Sequence, residues 1–231
     1  MLFNSFGPEN AIFRRSIIES ERVVKALFAQ CDRGALTPDG LGMQFYQAAD
    51  AGRFPAEYAP VLVRSILSAG FDTTVSGFSN AIYGFATNPE QWQILREHPS
   101  LLRSAFDEIL RWESPVQTFF RTTSKEVEIA GVRIGPEQKV LLFLAAANRD
   151  PRRWERADEL DVCRNASGHV AFGSGIHVCV GQMLARLEAE LLFAAFSRRV
   201  VRFELAGEPV RRANNTLRGF ATLPVRVRRV H

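Results

Sequence analysis

Cysteine is scarce in this sequence and does not pair up: Cys31, Cys163 and Cys179 are the only three among 231 residues. An odd count at wide spacing excludes the disulfide framework of a small secreted protein and favours a reducing, cytoplasmic setting. Long apolar runs are missing too. The longest, Val140 to Ala147, falls well short of the roughly 18–20 residues that span a bilayer. The first residues carry Asn4, Glu9, Asn10, Arg14, Arg15 and Glu19, which interrupt any signal-peptide core. Neither a membrane span nor an export signal is expected. Lysine is nearly absent, yet the abundant arginines are interleaved with acidic residues and the net charge is only +4. With no aromatic stacking motif beside those arginines, nucleic acid is not expected as a partner. Repeats, low-complexity tracts and Gly/Ser-rich linkers are lacking as well.

What is present suits a folding globular chain. Hydrophobic residues make up 46% and aromatics 10%, and a chain this long buries roughly 70% of its unfolded surface without help from metals or disulfides. Apolar periodicity predicts helices over about Pro8 to Gln30, Pro38 to Ala49 and Pro55 to Thr87, the last ended by Asn88-Pro89. Two more flank His98-Pro99, the second reaching Trp112. Alternation over Thr118 to Ile134 predicts a hairpin turning near Ala130-Gly131, and Lys139 to Leu144 a further strand. A loop-rich section follows as far as Val178. Met183, Leu184, Leu187, Leu191, Leu192 and Phe196 then recur at helical spacing from Cys179 to Arg199, and short strands close the chain.

The most informative stretch is Phe172-Gly173-Ser174-Gly175-Ile176-His177-Val178-Cys179-Val180-Gly181. Three glycines in ten residues let the backbone bend tightly and approach something large and flat. Its one cysteine is expected at a helix start, where the dipole and free N–H groups favour the thiolate, the form that binds metal. Taken alone, Cys179 reads as a buried structural thiol beside a turn; the full pattern reverses that reading. The full pattern, F-x-x-G-x-H-x-C-x-G, resembles the haem-binding loop of the cytochrome P450 monooxygenases.

That resemblance implies a mainly α fold with small β-sheets, haem b (iron protoporphyrin IX) as cofactor, and Cys179 as the thiolate ligand of the iron. His177 and Arg121 would bind haem propionates, Phe172 would pack near the sulfur, and Gly173, Gly175 and Gly181 would give backbone room. Two further segments fit the family in order and distance. Glu108-Ile109-Leu110-Arg111 matches its E-x-x-R, where i and i+3 side chains meet on a helix, and Arg164 occupies the place of the arginine that completes this pair. Alone, Glu108 and Arg111 read as a solvated ion pair. Ala69-Gly70-Phe71-Asp72-Thr73-Thr74 matches A-G-x-D/E-T-T. There the small Ala69 and Gly70 would open the helix locally beside the haem, and Asp72 and Thr73 would relay protons during oxygen activation. Without the other motifs, Thr73 reads as bonded to the carbonyl one turn back, with Asp72 facing solvent. Asn148-Arg149-Asp150-Pro151 is a family landmark with a structural role.

The resemblance runs from end to end of the chain, but residue 1 falls inside the family's domain. Residues 1–231 are therefore expected to be the C-terminal part of a single cytochrome P450 domain whose N-terminal part is missing. A narrower resemblance, to bacterial enzymes that oxidise para-substituted benzoates such as 4-methoxybenzoate, lies in Phe3-Asn4-Ser5-Phe6-Gly7-Pro8, in the segment from Leu62 to Gly70, and in Ser114 to Arg121. Ser65, Ala69 and Thr73 share one helical face, Ser65 standing about 12 Å from Thr73. Arg64 and Ser65 would hold a small aromatic acid by its carboxylate. Phe3, Phe6, Val116 and Phe119 would wall it, although all four read equally well as core. The expected partners are O2 and an iron–sulfur ferredoxin with its ferredoxin reductase. Two other readings stand beside this one: a haem-free remnant, and a zinc module built on Cys163, His169, His177 and Cys179. The zinc reading accounts neither for Glu108 and Arg111 nor for residues 69–74.

Overall fold

Helix punctuation in the sequence accounts for most of the element boundaries. The computed structural model describes residues 8–230, which are mainly helical with small two-stranded sheets. They form two compact units that divide between Thr73 and Thr74.

The first unit holds α1 (Ala11–Ala29), α2 (Leu41–Asp50) and the start of α3 (Ala59–Thr87). Asn10 caps α1 by accepting the Phe13 N–H at 3.0 Å, so the helix begins three residues after Pro8. Cys31 is buried, and its thiol donates to the Leu27 carbonyl. Arg64, on α3, lies over the Phe28 ring at 4.2 Å.

The second unit contains the remainder of α3, then α4 (Pro89–Glu97), α5 (Leu102–Glu113), α6 (Leu144–Asn148) and α7 (Gln182–Arg199). Asn88 ends α3, its side chain donating to the Gly84 carbonyl, and Pro89 opens α4 at a position where its missing N–H costs nothing. α5 ends at Ser114, in the left-handed conformation, directly before Pro115. The core is an aromatic cluster. Phe85 packs against Trp92 (4.9 Å between centroids) and Phe193 (5.4 Å), and Trp92 against Phe203 (5.1 Å). The Trp92 indole N–H donates to the Val200 carbonyl, so this largest buried side chain leaves no polar atom unmet.

Strand pairing corrects one expectation. The segment from Thr118 to Ile134 is not one hairpin: β1 (Thr118–Thr122) pairs with β4 (Lys139–Phe143), and β2 (Val127–Ile129) forms a tight hairpin with β3 (Val132–Ile134) between them. The turn falls where expected, with Ala130 and Gly131 both at positive φ. The tail pairs β5 (Val200–Leu205) with β8 (Val225–Arg229), and β6 (Val210–Arg211) with β7 (Phe220–Thr222). No helix among the described residues is long and apolar enough to cross a membrane.

Candidate haem-thiolate site

α5 carries the charged pair that the sequence marked. Glu108 and Arg111 are both 0% exposed, so each charge must be met inside the protein. All five guanidinium N–H groups of Arg111 are used. Two go to the Glu108 carboxylate at 2.7 and 2.9 Å, and three to the carbonyls of Asn148, Ala157 and Glu159. Glu108 Oε1 also accepts the Asp161 N–H and the Arg164 Nε–H. Arg164 completes the arrangement as expected, its other nitrogens donating to the Glu155 and Arg156 carbonyls. The reading as a solvated ion pair is overturned: a rigid fork of donors here holds a loop of irregular backbone that has no ladder of its own.

Asn148 and Arg149 explain the Asn-Arg-Asp-Pro landmark. Asn148 is buried, donates to Ser114 Oγ, and accepts the Val170 N–H on Oδ1 at 2.8 Å. Arg149 donates to the Trp112 carbonyl at the end of α5. The loop that leads to Cys179 is thereby anchored to α5 and α6.

That loop bends twice with glycine. Gly173 has φ +73, and a Cβ there would lie 2.7 Å from the His177 carbonyl oxygen, so no other residue fits. Gly175, at φ +60, opens the short 3-10 turn that ends at His177. The chain then returns, and the Cys179 N–H donates to the Phe172 carbonyl at 2.7 Å. Cys179 lies before the helix rather than in it: α7 starts at Gln182, whose N–H donates to the Cys179 carbonyl. The added turn frees the side chain from the helix barrel and leaves its thiol exposed. A Cβ on Gly181 would meet Cys179 Sγ at 3.9 Å, so glycine keeps a side chain off the sulfur. Around the thiol, Ile176, Val178 and Val180 are exposed, Ile176 at 96%.

An exposed thiol on a platform of exposed apolar side chains fits a large, flat, apolar group that brings its own metal. Among the described residues no three His, Cys, Asp or Glu side chains stand close enough to hold an ion, which leaves the zinc module of Cys163, His169, His177 and Cys179 without support. His169 does something else. It is 4% exposed, accepts the Ala171 N–H on Nδ1 and faces Asp107 with Nε2.

The remaining candidates are on other elements. Arg121 sits on β1, donating to the Phe120 carbonyl and lying 5.7 Å from the Phe119 ring centroid, so Phe119 and Arg121 share one face of the strand. Val116 is buried and forms a β-bridge to Leu217. In the first unit, Ser65 Oγ donates to the Val61 carbonyl, and Thr73 Oγ1 to the Ala69 carbonyl at 2.7 Å. α3 continues unbroken through Ala69, Gly70 and Asp72, so the expected local opening does not interrupt the helix. Phe3 and Phe6 lie outside the described residues.

The family's sequence model, described as cytochrome P450, matches residues 96–228, which takes in the Glu108/Arg111/Arg164 network and the Cys179 loop. This chain belongs to the cytochrome P450 family. It is 52% identical over 228 residues to cytochrome P450 CYP199A2 of Rhodopseudomonas palustris, covering 98% of this chain and 55% of the relative. It is 42% identical over 159 residues to linalool 8-monooxygenase of Pseudomonas putida, covering 69% of this chain and 39% of that one. Among solved structures it resembles cytochrome P450 CREJ in complex with (4-ethylphenyl) dihydrogen phosphate, with a TM-score of 0.84 and 32% identity over 94% of this chain and 56% of the other. The chain thus spans about half the length of the relatives it matches.

Proposed function

We propose that this chain supplies the haem-thiolate half of a monooxygenase that inserts one oxygen atom from O2 into a small aromatic acid. On this reading, residues 1–231 are the C-terminal part of a single cytochrome P450 domain. The observation that carries the proposal is the exposed thiol of Cys179, a residue whose backbone N–H donates to the Phe172 carbonyl and whose neighbours Ile176, Val178 and Val180 are exposed and apolar. Haem b, bound through the Cys179 thiolate, supplies the iron at which O2 is activated. His177, exposed beside the thiol, and Arg121 would pair with the propionate carboxylates. Gly173 and Gly175 set the curvature that presents Cys179, and Gly181 keeps its sulfur clear.

On α3, Thr73 holds its hydroxyl against the Ala69 carbonyl. That hydroxyl and the Asp72 carboxyl would pass protons inward during O2 activation, with Ala69 and Gly70 leaving room beside them. Electrons would come from an iron–sulfur ferredoxin and its ferredoxin reductase in the cytoplasm.

For the substrate we infer a para-substituted benzoate. Its carboxylate would be held near Arg64 and Ser65, one turn before Ala69 on α3. Support comes from the shared helical face of Ser65, Ala69 and Thr73, and from the resemblance to cytochrome P450 CREJ, which was solved with a para-substituted aryl phosphate. The test is ligand binding to the haem-loaded protein. 4-Methoxybenzoate is expected to shift the iron toward high spin, and methoxybenzene, which lacks the carboxylate, to do so only weakly. Equal binding of the two removes the carboxylate anchor.

A further inference from the structure

Asp107, His169 and Arg186 form a half-buried cluster that neither the haem-binding pattern nor the Glu108/Arg111 network uses. Asp107 lies on α5, Arg186 on α7, and His169 three residues before Phe172. The imidazole touches the Cys179 loop through one bond, with Nδ1 accepting the Ala171 N–H at 3.1 Å. An accepting Nδ1 places the ring proton on Nε2, which faces Asp107 Oδ1 at 3.2 Å. The same carboxylate accepts the Arg186 Nε–H at 2.9 Å. The Arg186 guanidinium in turn covers the Phe172 ring at 4.6 Å.

Phe172 is the residue so enclosed. Its ring lies beside His169 and beneath Arg186, the N–H one residue upstream is held by His169, and the N–H two residues upstream is held by Asn148. Its carbonyl is left aimed at the Cys179 N–H. A carboxylate behind an imidazole is a common way of fixing a tautomer and a ring orientation around a functional group.

We propose that His169 is a positioning residue for the thiolate: Asp107 fixes its Nε2–H tautomer, Nδ1 then holds the Ala171 N–H, and the Phe172 carbonyl is thereby kept on the Cys179 N–H. The inference rests on the haem-thiolate reading of Cys179 and adds to it the part that aims the sulfur. Because the cluster acts through the backbone, its effect falls on the Cys179 amide and on the ligation of the sulfur. The α3 residues are not involved.

Two substitutions at His169 separate this role from simple packing. In His169→Asn, the side-chain oxygen falls where Nδ1 stood and still accepts the Ala171 N–H, but it does not reach Asp107. In His169→Gln, the amide reaches toward Asp107 and leaves the Ala171 N–H without its acceptor. The measurements are amide hydrogen exchange over residues 170–179 in the reduced, carbon monoxide-bound protein, and the fraction of that protein with the red-shifted Soret band of thiolate ligation. His169→Gln is expected to speed Cys179 amide exchange tenfold or more and to lower the thiolate fraction. His169→Asn is expected to stay within about threefold of wild type in both. Equal loss in the two variants assigns His169 to packing and overturns the proposal, and so does wild-type exchange in both.

Asp107→Leu provides a second test that leaves His169 in place. It removes the acceptor of the Nε2–H, so nothing holds the ring in that tautomer. The His169 ring 15N shifts are expected to move away from the Nε2–H pattern and the Ala171 amide to exchange faster. An unchanged tautomer overturns the proposal. A wild-type protein that never shows the red-shifted band, or a Cys179→Ser variant that keeps it, instead refutes the haem-thiolate reading.

Discussion

The Cys179 N–H donates to the Phe172 carbonyl across 2.7 Å, and this bond closes a loop whose two ends have different supports. The Phe172 end is tied through Asn148 and His169 to α5 and α6, while the Cys179 end runs into the first turn of α7. The thiol therefore sits where two separately anchored pieces of backbone meet. Disturbing either anchor is expected to move it, and disturbing the exposed rim around it is not.

Gly173→Ala and Gly175→Ala should differ sharply although both glycines have positive φ. A methyl at Gly173 would lie 2.7 Å from the His177 carbonyl oxygen, whereas at Gly175 nothing stands within 4 Å. Gly175→Ala is expected to cost only backbone strain, about 1 kcal/mol. Gly173→Ala adds a backbone clash and is expected to lose haem retention on gel filtration. Equal haem content in the two variants would contradict the geometry.

Arg111→Lys should destabilise strongly despite keeping the charge. An ammonium has three donors and no planar fork, so at least two of the five acceptors around Arg111 lose their partner. Breaking a fully buried pair costs about 3–5 kcal/mol, readable as a shift in the denaturation midpoint. Arg15→Lys, in an exposed pair with Glu19, is expected to change nothing measurable.

Acid should loosen the cluster behind the Cys179 loop. Burial favours the neutral form of Asp107, but the hydrogen bond from His169 and the charge of Arg186 outweigh it and hold the carboxyl below its ordinary value. A carboxyl depressed on folding contributes stability that is complete above the unfolded value of about 4 and is lost as pH falls through the lower folded value. Unfolding free energy measured against pH is thus expected to drop below about pH 4, and Asp107→Asn is expected to flatten that part of the curve.

Cys179→Ser should abolish the red-shifted Soret band of the reduced carbon monoxide complex, while Cys31→Ser and Cys163→Ser keep it. Cys31 is unsuited to the role, because its thiol is buried, donates to Leu27 and is pushed up in pKa by that burial. A band that follows Cys163 instead would move the site to another loop.

Thr73→Ala and Asp72→Asn should retain haem but divert reducing equivalents from product to peroxide. Proton-relay groups are typically worth about 10² to 10⁴ in rate. Product formed per electron pair is the measurement, and wild-type coupling in both variants would remove the relay from α3.

What the sequence alone determined was local. Helix breaks at Asn88-Pro89 and Pro115, the turn at Ala130-Gly131, and the pattern around Cys179 all depend on residues within a few positions of one another, where backbone conformation is decided by the side chains at hand. Glu108 and Arg111 could be paired for the same reason, being one helical turn apart. Tertiary structure decided the rest. That β1 pairs with β4 around an inner hairpin follows from where the chain returns after β3, and that Arg111 spends three donors on distant carbonyls and Asp107 reaches His169 across 62 positions follows from the burial of Arg111 and of the His169 ring. Once a polar group leaves water it must find a partner wherever the chain brings one. His169 shows the limit most clearly: in the sequence it is one histidine among four, open to a metal-ligand reading, and only the placement of α5 brings Asp107 to its Nε2.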